Sequence, residues 1–273
     1  MEEVEEVEEV EEVEEVEKWK SKLKVQQAAA AVIALTLISL SNPLLRAQAP
    51  AQKPAVAEPA PRWPDGRINL GSSKDQKGYW EIRPGLGGFP RAADVPFQDW
   101  SRALYQYRTS TADLYPPLVG CKPAGGPGFF NAPGFEIVDV PELKSVFLLN
   151  IAGPHSWRVV YLDGRPHPPR ENLRPTFFGH SIGRWEGDTL IIDSIGFNEK
   201  QWLAGSFPHT EGLHLTERIS RPNLRTFVYE ATIDDPGAYT KPWTARWTIN
   251  EKSASSWIAG GEMFEYICQD SRE

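Results

Sequence analysis

Cysteine and histidine are scarce in this chain, which has two cysteines and five histidines among 273 residues. These residues show neither a closed Cys/His zinc cluster nor the zincin spacing of two histidines on one helical turn. Cys121 and Cys268 can form one disulfide in an oxidising compartment, and that bridge would close a long loop across the domain. Two separate buried thiols are the alternative.

Long apolar runs are also missing. The run Ala28–Leu40 has about thirteen residues, whereas a membrane-spanning helix needs roughly 20. Four lysines precede this run and Ala47-Gln48-Ala49 follows it, which is the pattern of a secretory signal. Residues 18–49 are therefore predicted to be a signal peptide, with an uncleaved N-terminal anchor as the alternative. Both predict export, to the periplasm or outside the cell, with membrane contact only through a retained N-terminal segment.

The body of the chain has little net charge. The formal net charge is -8, but an EEV repeat at residues 2–17 holds eleven of the 37 acidic residues. From Pro50 onward 24 basic residues face 26 acidic ones. This balance gives no electrostatic reason to expect nucleic acid or an anionic membrane surface as a partner. The three-residue period predicts disorder for residues 1–17. Our hypothesis is that synthesis starts near Val16, so that the EEV repeat is not translated.

The rest of the chain reads as a linker and one domain. Residues 50–64 are rich in Ala and Pro and predict an extended linker, so residues 65–273 form a single β-rich domain. Phe97–Arg108 has aromatic and aliphatic residues at helical spacing and predicts one short helix, packed over the end of a barrel or sheet. Strands are predicted at Phe135–Val140, Ser145–Ile151, Ser156–Asp163, Ser181–Trp185, Leu190–Ile195, Leu213–Arg221, Thr226–Ile233, Trp243–Asn250 and Met263–Gln269.

The strand pattern predicts an all-β fold. Period-two alternation is clearest in Leu213–Arg221, Thr226–Ile233 and Trp243–Asn250. Gly187-Asp188 between two apolar runs predicts a hairpin turn. We expect a closed or nearly closed antiparallel barrel, because closure protects the edges of a long meander; a sandwich is the alternative.

Several segments resemble a family of uncharacterised exported bacterial proteins. They are Tyr161–Pro168, Gly179–Phe197, Ile233–Trp243, the Pro-Asp-Gly after Trp63, Cys121-Lys-Pro-Ala-Gly-Gly-Pro and Glu265-Tyr-Ile-Cys268. The chain departs at Asn69-Leu70-Gly71, where that family tends to have Asp-Leu-Ser-Gly. The resemblance implies export and pairing of the two cysteines, and it implies no activity. Gly183–Trp185 followed by a hairpin is also loosely similar to lipocalin-like (calycin) barrels.

Glu217 is a carboxylate on an apolar strand face. Its i−4, i−2 and i+2 neighbours are leucine or isoleucine, so the pattern places it inside the barrel. A buried carboxylate needs a partner or becomes protonated, and Arg158, Arg184 and Arg246 are candidate partners. Glu217 is therefore predicted to form a structural ion pair, or to act as a polar anchor or acid/base group in a ligand cavity.

Other polar and aromatic residues are candidates for the same cavity. His180 stands at a strand entrance, and Asp193 interrupts an apolar strand. The candidate ligand-binding residues are Trp157, Arg158, His180, Trp185, Asp193, His214 and Glu217. Among them, Glu217 and His180 are the candidate catalytic residues. A structural role is the alternative for each, and the tryptophans could simply fill a core.

Two further motifs predict no site. Gly179-His180-Ser181-Ile182-Gly183 matches the nucleophile elbow, but a hairpin follows where that motif needs a helix. His209-x-Glu211-x-x-His214-x-x-Glu217 is rich in metal-ligand types, yet His214 and Glu217 point to opposite faces of a strand. We therefore predict no metal and no cofactor.

Three functions remain open from the sequence. The first is an exported barrel that binds a small, partly apolar molecule, with His180, Arg158 and Glu217 fixing its orientation. The second is an enzyme that uses the same cavity for acid/base isomerisation, hydration or hydrolysis, with Glu217 or His180 as the proton carrier. The third is a structural envelope protein without a ligand. An interior with convergent polar groups and open space would favour the first two.

Overall fold

The structure, a computed structural model, describes residues 57–81, 89–111, 120–123, 125–131, 134–151, 156–203, 205–250 and 256–264. All of them lie within one compact unit, Ala57–Glu273. The predictions for the EEV repeat, the signal segment and Cys268 fall outside these residues. Within the described ranges, no helix is long and apolar enough to cross a membrane.

Ten strands form a single curled sheet, a half-barrel. They are β1 (Gly78–Glu81), β2 (Gly134–Val140), β3 (Ser145–Asn150), β4 (Trp157–Tyr161), β5 (His180–Glu186), β6 (Thr189–Ile195), β7 (His214–Asn223), β8 (Thr226–Asp234), β9 (Trp243–Ile249) and β10 (Ser256–Ala259). The strand order is β10-β1-β2-β3-β4-β5-β6-β7-β8-β9. The all-β prediction is confirmed, and the predicted strands from Phe135 to Asn250 are present with small shifts at their ends.

The half-barrel is open, whereas the sequence predicted a closed or nearly closed barrel. Strand β10 pairs with β1, with Trp257 opposite Trp80, and not with β9. Strands β9 and β10 are therefore the two edges of the sheet. Strand β1 was not predicted, because it has only four residues within a polar, turn-rich segment. The predicted strand Met263–Gln269 is not seen at residues 263 and 264, and its remainder lies outside the described residues.

One strand pair departs from the expected antiparallel meander. Strands β4 and β5 are parallel, with Val160 opposite Ser181 and Tyr161 opposite Ile182. A parallel pair needs a crossover, and residues 162–179 provide it. This segment stays beside the sheet: Thr176 forms a bridge with Phe197, just beyond the end of β6. The crossover thus brings a loop to the outer face of β5 and β6.

Aromatic side chains fill the inner face of the sheet. Trp80 lies 5.3 Å from Phe227, and Tyr229 lies 4.3 Å from Trp247, measured between ring centroids. Such pairs contribute about 0.5–1.5 kcal/mol each beyond the burial of their area. Trp243 and Trp247 are buried in this core and help to fill it.

The one α-helix in the described residues, α1 (Asp99–Ser110), confirms the predicted helix with a shift of two residues. It rests on the loop after β8: Trp100 Nε1 donates to the Gly237 carbonyl at 2.8 Å, and the Ser101 hydroxyl donates to the Ala238 carbonyl. The carboxylate of Asp235 holds the same loop through two hydrogen bonds from Thr210. The helix therefore packs over one end of the sheet on a rigid turn.

Candidate functional site

Glu217 lies on the inner face of β7 and pairs with Arg158 of β4. The two residues are 0% and 3% exposed. Arg158 Nη1 lies 3.1 Å from Glu217 Oε1, and Arg158 Nη2 lies 2.5 Å from Oε2. The other two candidate arginines are engaged elsewhere, Arg184 with Glu186 and Arg246 with Glu230. Of the three candidate partners, Arg158 is the one the fold selects.

The rest of this pair's hydrogen bonds stay inside the core. The Tyr229 hydroxyl donates to Glu217 Oε1 at 2.8 Å, and burial, followed by the carboxylate charge, raises the pKa of Tyr229 well above its usual range. Arg158 also donates to Ser181 Oγ at 2.9 Å and to Ser194 Oγ at 2.6 Å. The Arg158 guanidinium and the Glu217 carboxylate thus form hydrogen bonds with each other and with three hydroxyl groups. This is the arrangement of a structural ion pair.

A second polar group lies on the outer face of the same strands. His180 of β5, Asp193 of β6 and His214 of β7 are partly exposed, while their chain neighbours Ser181 and Ser194 are buried. This alternation follows from the two-residue period of a strand. The crossover after β4 adds His167. We call these four residues the outer cluster: His167, His180, Asp193 and His214.

Hydrogen bonds join the outer cluster into one chain. Asp193 Oδ1 lies 3.0 Å from His167 Nε2 and 2.9 Å from His214 Nε2. His167 Nδ1 lies 2.8 Å from His180 Nδ1. The His214 side chain is 44% exposed and that of His167 is 16% exposed. The chain therefore starts at the solvent and ends in a half-buried imidazole.

Local turn chemistry brings His167 to this position. Gly164 has a φ of +81°, and Asp163 Oδ1 accepts a hydrogen bond from the Arg165 backbone at 3.1 Å. This Asx turn reverses the chain just after β4. The Arg165 guanidinium then lies 4.0 Å from the ring centroid of Tyr161, and that ring stacks on His180 at 5.5 Å. One short loop thus supports two members of the outer cluster.

The hydrogen-bond chain determines which imidazole nitrogens carry lone pairs. A carboxylate only accepts hydrogen bonds, so His167 and His214 each donate to Asp193 through Nε2–H. In neutral His167 the Nδ1 atom is then an acceptor, and the Nδ1–H group of His180 must be its donor. This assignment leaves His180 Nε2 and His214 Nδ1 as the two basic nitrogens of the outer cluster.

The surroundings of His180 favour the neutral form of this imidazole. Burial lowers the pKa of His180 below its usual value of 6.5, and the neighbouring His167 and Arg165 lower it further. A neutral imidazole with a free Nε2 lone pair can accept a proton or a hydrogen bond from a bound molecule. This is chemistry that the buried Glu217 carboxylate does not offer.

A groove adjoins the outer cluster. It has a volume of about 220 Å³, and its lining residues are Arg170, Leu173, Pro175, Ile195, Gly196, Glu211, Gly212 and Leu213. Ile195 lies opposite His180 in the β5–β6 pairing, and Leu213 immediately precedes His214. Residues that neighbour two histidines of the cluster therefore line the groove, which lies between the crossover and the start of β7.

The predicted site residues divide between the two faces of the sheet. His180, Asp193 and His214 meet in the outer cluster, while Arg158 and Glu217 meet in the core. Trp157 lies on the outer face and is 61% exposed. Trp185 packs against the core. Of the two residues predicted to pair in a disulfide, Cys121 is described and Cys268 is not, so the pairing stays a prediction.

Sequence reasoning missed His167 as a site residue. The histidine is close to none of its partners in sequence, being 13 residues from His180 and 26 from Asp193. A signal was present, since His167 lies in the Tyr161–Pro168 segment that carries the resemblance to exported proteins. No role was predicted for that segment, because no sequence pattern indicates that a parallel crossover follows β4.

No metal is proposed at the outer cluster. Within the described ranges, no group of three or more His, Cys, Asp or Glu residues is arranged to hold a metal ion. Both ring nitrogens of His167 take part in hydrogen bonds to other members of the cluster. The contacts within the cluster are therefore hydrogen bonds between side chains.

Comparison with protein-family models, with curated proteins and with solved structures finds no match for this chain. The resemblance to a family of exported proteins therefore stays a prediction from its motifs, and the functional argument rests on the geometry of this chain alone.

Proposed function

We propose that this is an exported β-sheet protein that binds a small, partly apolar molecule at the outer cluster and the groove beside it. The observation that carries the proposal is the hydrogen-bonded chain His180–His167–Asp193–His214, which lies at the surface next to a groove. Polar groups that converge beside a concave, partly apolar surface are the usual composition of a small-molecule site.

The outer face suits a ligand better than the inner face expected from the sequence. Arg158 and Glu217 were expected to orient a ligand inside the barrel, but their hydrogen bonds are made to each other and to neighbouring hydroxyls. In the outer cluster, His180 Nε2 and His214 Nδ1 have no hydrogen bond to a described residue. These two nitrogens can fix the polar end of a ligand.

Apolar groups on both sides of the cluster supply the contact area. Leu173 and Ile195 line the groove. On the other side, Trp157 and Tyr161 alternate outward along β4, and the Tyr161 ring reaches His180. A ligand with a hydrogen-bonding group and a small apolar body would therefore fit the composition of this surface.

An NMR titration tests this proposal. Phenol, benzoate and benzylamine serve as neutral, anionic and cationic probes of similar size, and the imidazole signals of all histidines are observed. We expect at least one probe to shift His180 and His214 at millimolar concentration, and Leu173→Asp to abolish the shift. The indole N–H signal of Trp80, which is buried and hydrogen-bonded to the Leu70 carbonyl, is the internal control. If every probe leaves both histidines unchanged, the outer cluster is not a ligand site.

Acid/base catalysis is a second candidate, favoured by the tautomer assignment. In the neutral chain, His180 Nε2 can accept a proton from a substrate while its Nδ1–H group stays hydrogen-bonded to His167. The charge that develops is then one imidazole away from Asp193. We expect turnover of a small ester, enol or hydratable substrate to increase as pH rises through the pKa of His180, because the base must be neutral.

Substitution separates this catalytic role from binding alone. His180→Gln keeps a hydrogen-bonding side chain but removes the proton acceptor, so we expect it to abolish turnover and to leave probe binding within a few-fold. General-base catalysis contributes roughly 10²–10⁴-fold to a rate. Equal turnover in wild type and His180→Gln would leave binding as the sole function.

Export is tested by the mature N-terminus. N-terminal sequencing of the protein recovered from its native host is expected to show a start after residues 18–49, within or near the Ala/Pro segment. A chain that retains the EEV repeat would contradict both cleavage of the signal peptide and the interpretation of the first residues as untranslated; export through an uncleaved anchor would remain.

A further inference from the structure

His167 ties the middle of the crossover to the sheet. The crossover, residues 162–179, is described throughout. Among the described residues, the hydrogen bonds that join residues 163–172 to a strand are the two formed by His167. One is to His180 of β5 at 2.8 Å, and the other is to Asp193 of β6 at 3.0 Å. The position of this stretch beside the sheet therefore depends on one imidazole.

The local sequence explains why a side chain, and not the backbone, holds this stretch. Pro166, Pro168 and Pro169 have no backbone N–H group, so they cannot donate a hydrogen bond to a strand. Backbone pairing with the sheet side resumes at Thr176, whose N–H group donates to the Gly196 carbonyl at 3.0 Å. Loss of the histidine contacts would therefore free the middle of the crossover and leave its far end in place.

The contact between the two imidazoles has room for one hydrogen. Because His167 Nδ1 lies 2.8 Å from His180 Nδ1, one nitrogen must donate and the other must accept. In the neutral chain His180 donates, and a proton added at His180 Nε2 leaves the contact intact. A second proton must enter at His167 Nδ1, because His167 Nε2 already carries the hydrogen donated to Asp193. Two N–H groups would then face each other, and the contact breaks.

Rotation of either ring does not relieve this conflict. An imidazolium carries a hydrogen on both nitrogens and therefore has no acceptor to offer. The His180 ring belongs to β5 and stacks on Tyr161 of β4, with 5.5 Å between the ring centroids, so it stays with the sheet. His167 belongs to the crossover. The two rings therefore separate by movement of the crossover away from the sheet.

Charged and titratable groups face this pair from the crossover and from β6, β7 and β8. They are Asp163, Arg165, Asp193, His214 and Asp234. Burial first, and then the charges of His167 and Arg165, lower the pKa of His180. His214 can take a proton at Nδ1 and keep its hydrogen bond to Asp193, so its protonation adds positive charge and breaks no contact. The contact that acid breaks is thus the one between His167 and His180.

The crossover also forms one wall of the groove. Arg170 and Leu173 line the groove from this side, and residues 195–196 and 211–213 line it from the other. The two crossover residues follow His167 by only three and six positions. Movement of the middle of the crossover away from the sheet therefore widens the groove, and a molecule held between the two walls loses contacts.

We propose that the His167–His180 contact is an acid-sensitive latch: it stays closed while the two imidazoles hold at most one added proton, and a second proton releases residues 163–172 from the sheet and opens the groove. Release of a ligand rests on the function proposed above, whereas opening of the latch does not. The open pair binds two added protons and the closed pair binds one. Below about pH 6.5, the usual pKa of an imidazole, acid therefore favours the open form by about tenfold per pH unit once the closed pair holds its one proton.

NMR relaxation of the full chain without ligand tests the latch. Backbone order parameters are measured at about pH 7.5 and about pH 5, on either side of the usual imidazole pKa. For residues 163–172 we expect values near about 0.85 at the higher pH and below about 0.6 at the lower one. Strand β6 is the internal control and should stay rigid at both. Order parameters of residues 163–172 that do not change with pH would overturn the proposal.

His180→Asn separates the second proton from other effects of acid. The Asn amide is attached at Cγ, as Nδ1 is in histidine, so it can donate to neutral His167 and, turned over, accept from charged His167. We expect this variant to keep residues 163–172 rigid at both pH values. His214→Gln is the matched control: its amide can still donate to Asp193, and it should open in acid like the wild type. Equal opening of His180→Asn and wild type would contradict the latch.

Phenol and benzylamine connect the latch to ligand binding, because each keeps its charge between these pH values. Binding is followed by the amide signal of Gly196, and we expect the dissociation constant to rise about tenfold in acid as the closed form becomes rare. A crossover that opens although neither probe shifts Gly196 at either pH would support the latch and contradict the proposed ligand site. Binding of equal affinity at both pH values beside a crossover that stays rigid would support the ligand site and overturn the latch. Equal affinity beside an open crossover would overturn the link between latch and groove.

Discussion

At the scale of single residues, Arg158 and Glu217 are both withdrawn from water, so each depends on the other for its charge. Glu217→Gln leaves the Arg158 guanidinium buried without its counterion, and we expect it to lower the free energy of unfolding by about 3–5 kcal/mol. Urea denaturation measures this loss. Glu230→Gln is the control, because the exposed Arg246–Glu230 pair should contribute no more than about 1 kcal/mol.

The double variant distinguishes a structural pair from a functional one. Replacing Arg158 with Met and Glu217 with Leu removes both charges but leaves the Tyr229 hydroxyl without its acceptor, so we expect stability to recover most of what Glu217→Gln loses. Probe binding at the outer cluster should also survive. A fully stable double variant that loses binding would show that the ion pair takes part in function after all.

The protonation of His180 makes stability depend on pH. Its folded pKa is lower than the usual 6.5, first because of burial and then because of His167 and Arg165. Between these two pKa values the unfolded chain binds more protons than the folded one, so stability falls as pH decreases through about 6.5. NMR titration of the His180 imidazole should give a midpoint below 6.5.

Arg165→Met isolates one of these causes. Removing the guanidinium should move the His180 midpoint upward and reduce the loss of stability at low pH. Because His209 has a lowered pKa too, the comparison is made between wild type and this variant, in which His209 is unchanged. An unchanged His180 midpoint would show that the Arg165 charge does not reach this imidazole.

At the scale of elements, the entry into β5 depends on Gly179. This residue has a φ of +65°, and a Cβ atom there would lie 2.5 Å from the Ile195 carbonyl oxygen. Gly187, in the β5–β6 turn, has a φ of +59° with nothing within 4 Å of the same position. The two glycines therefore share the left-handed backbone conformation and differ in the space around them.

We expect Gly187→Ala to lower the free energy of unfolding by about 1–2 kcal/mol, the usual penalty for an L-residue in the left-handed region. Gly179→Ala should cost more, since β6 must move away, and it should shift the imidazole signals of the adjacent His180. Denaturation and NMR of the two variants provide the measurements. Equal losses of stability in the two variants would mean that the chain around Ile195 moves away from the new Cβ atom at no measurable cost.

The crossover between β4 and β5 explains why the outer cluster could not be predicted in full from the sequence. His180, Asp193 and His214 each lie on a strand whose alternation was readable, and β5 to β7 are ordinary antiparallel neighbours. His167 joins them from a loop, because the parallel β4–β5 pair returns the chain across the sheet. Local turn signals at Gly164 indicate a reversal, but they do not say which strand the returning chain meets.

At the scale of the whole molecule, the predicted Cys121–Cys268 disulfide would join the loop after α1 to the end of the chain. A bridge that closes so long a loop is expected to stabilise the fold by about 2–5 kcal/mol. Mass spectrometry of the unreduced protein after alkylation should find no free thiol, and Cys121→Ser should lower the unfolding temperature. Two alkylated cysteines in the folded protein would contradict the pairing.

The sequence by itself determined the β-rich class, most strand positions and the burial of Glu217. These depend on local periodicity and turn residues, which act over a few positions along the chain. Its helix prediction was right to within two residues for the same reason. Of the polar residues it selected, Arg158 and Glu217 pair in the core, and His180, Asp193 and His214 meet in the outer cluster.

Only the tertiary structure decided what those residues do together. The open half-barrel follows from the pairing of β10 with β1. Neither strand has a sequence pattern that predicts its pairing partner. The choice of Arg158 over two other arginines and the position of His167 beside Asp193 both depend on distances between residues far apart in the chain. Such distances are set by packing the whole sheet, which no local pattern contains.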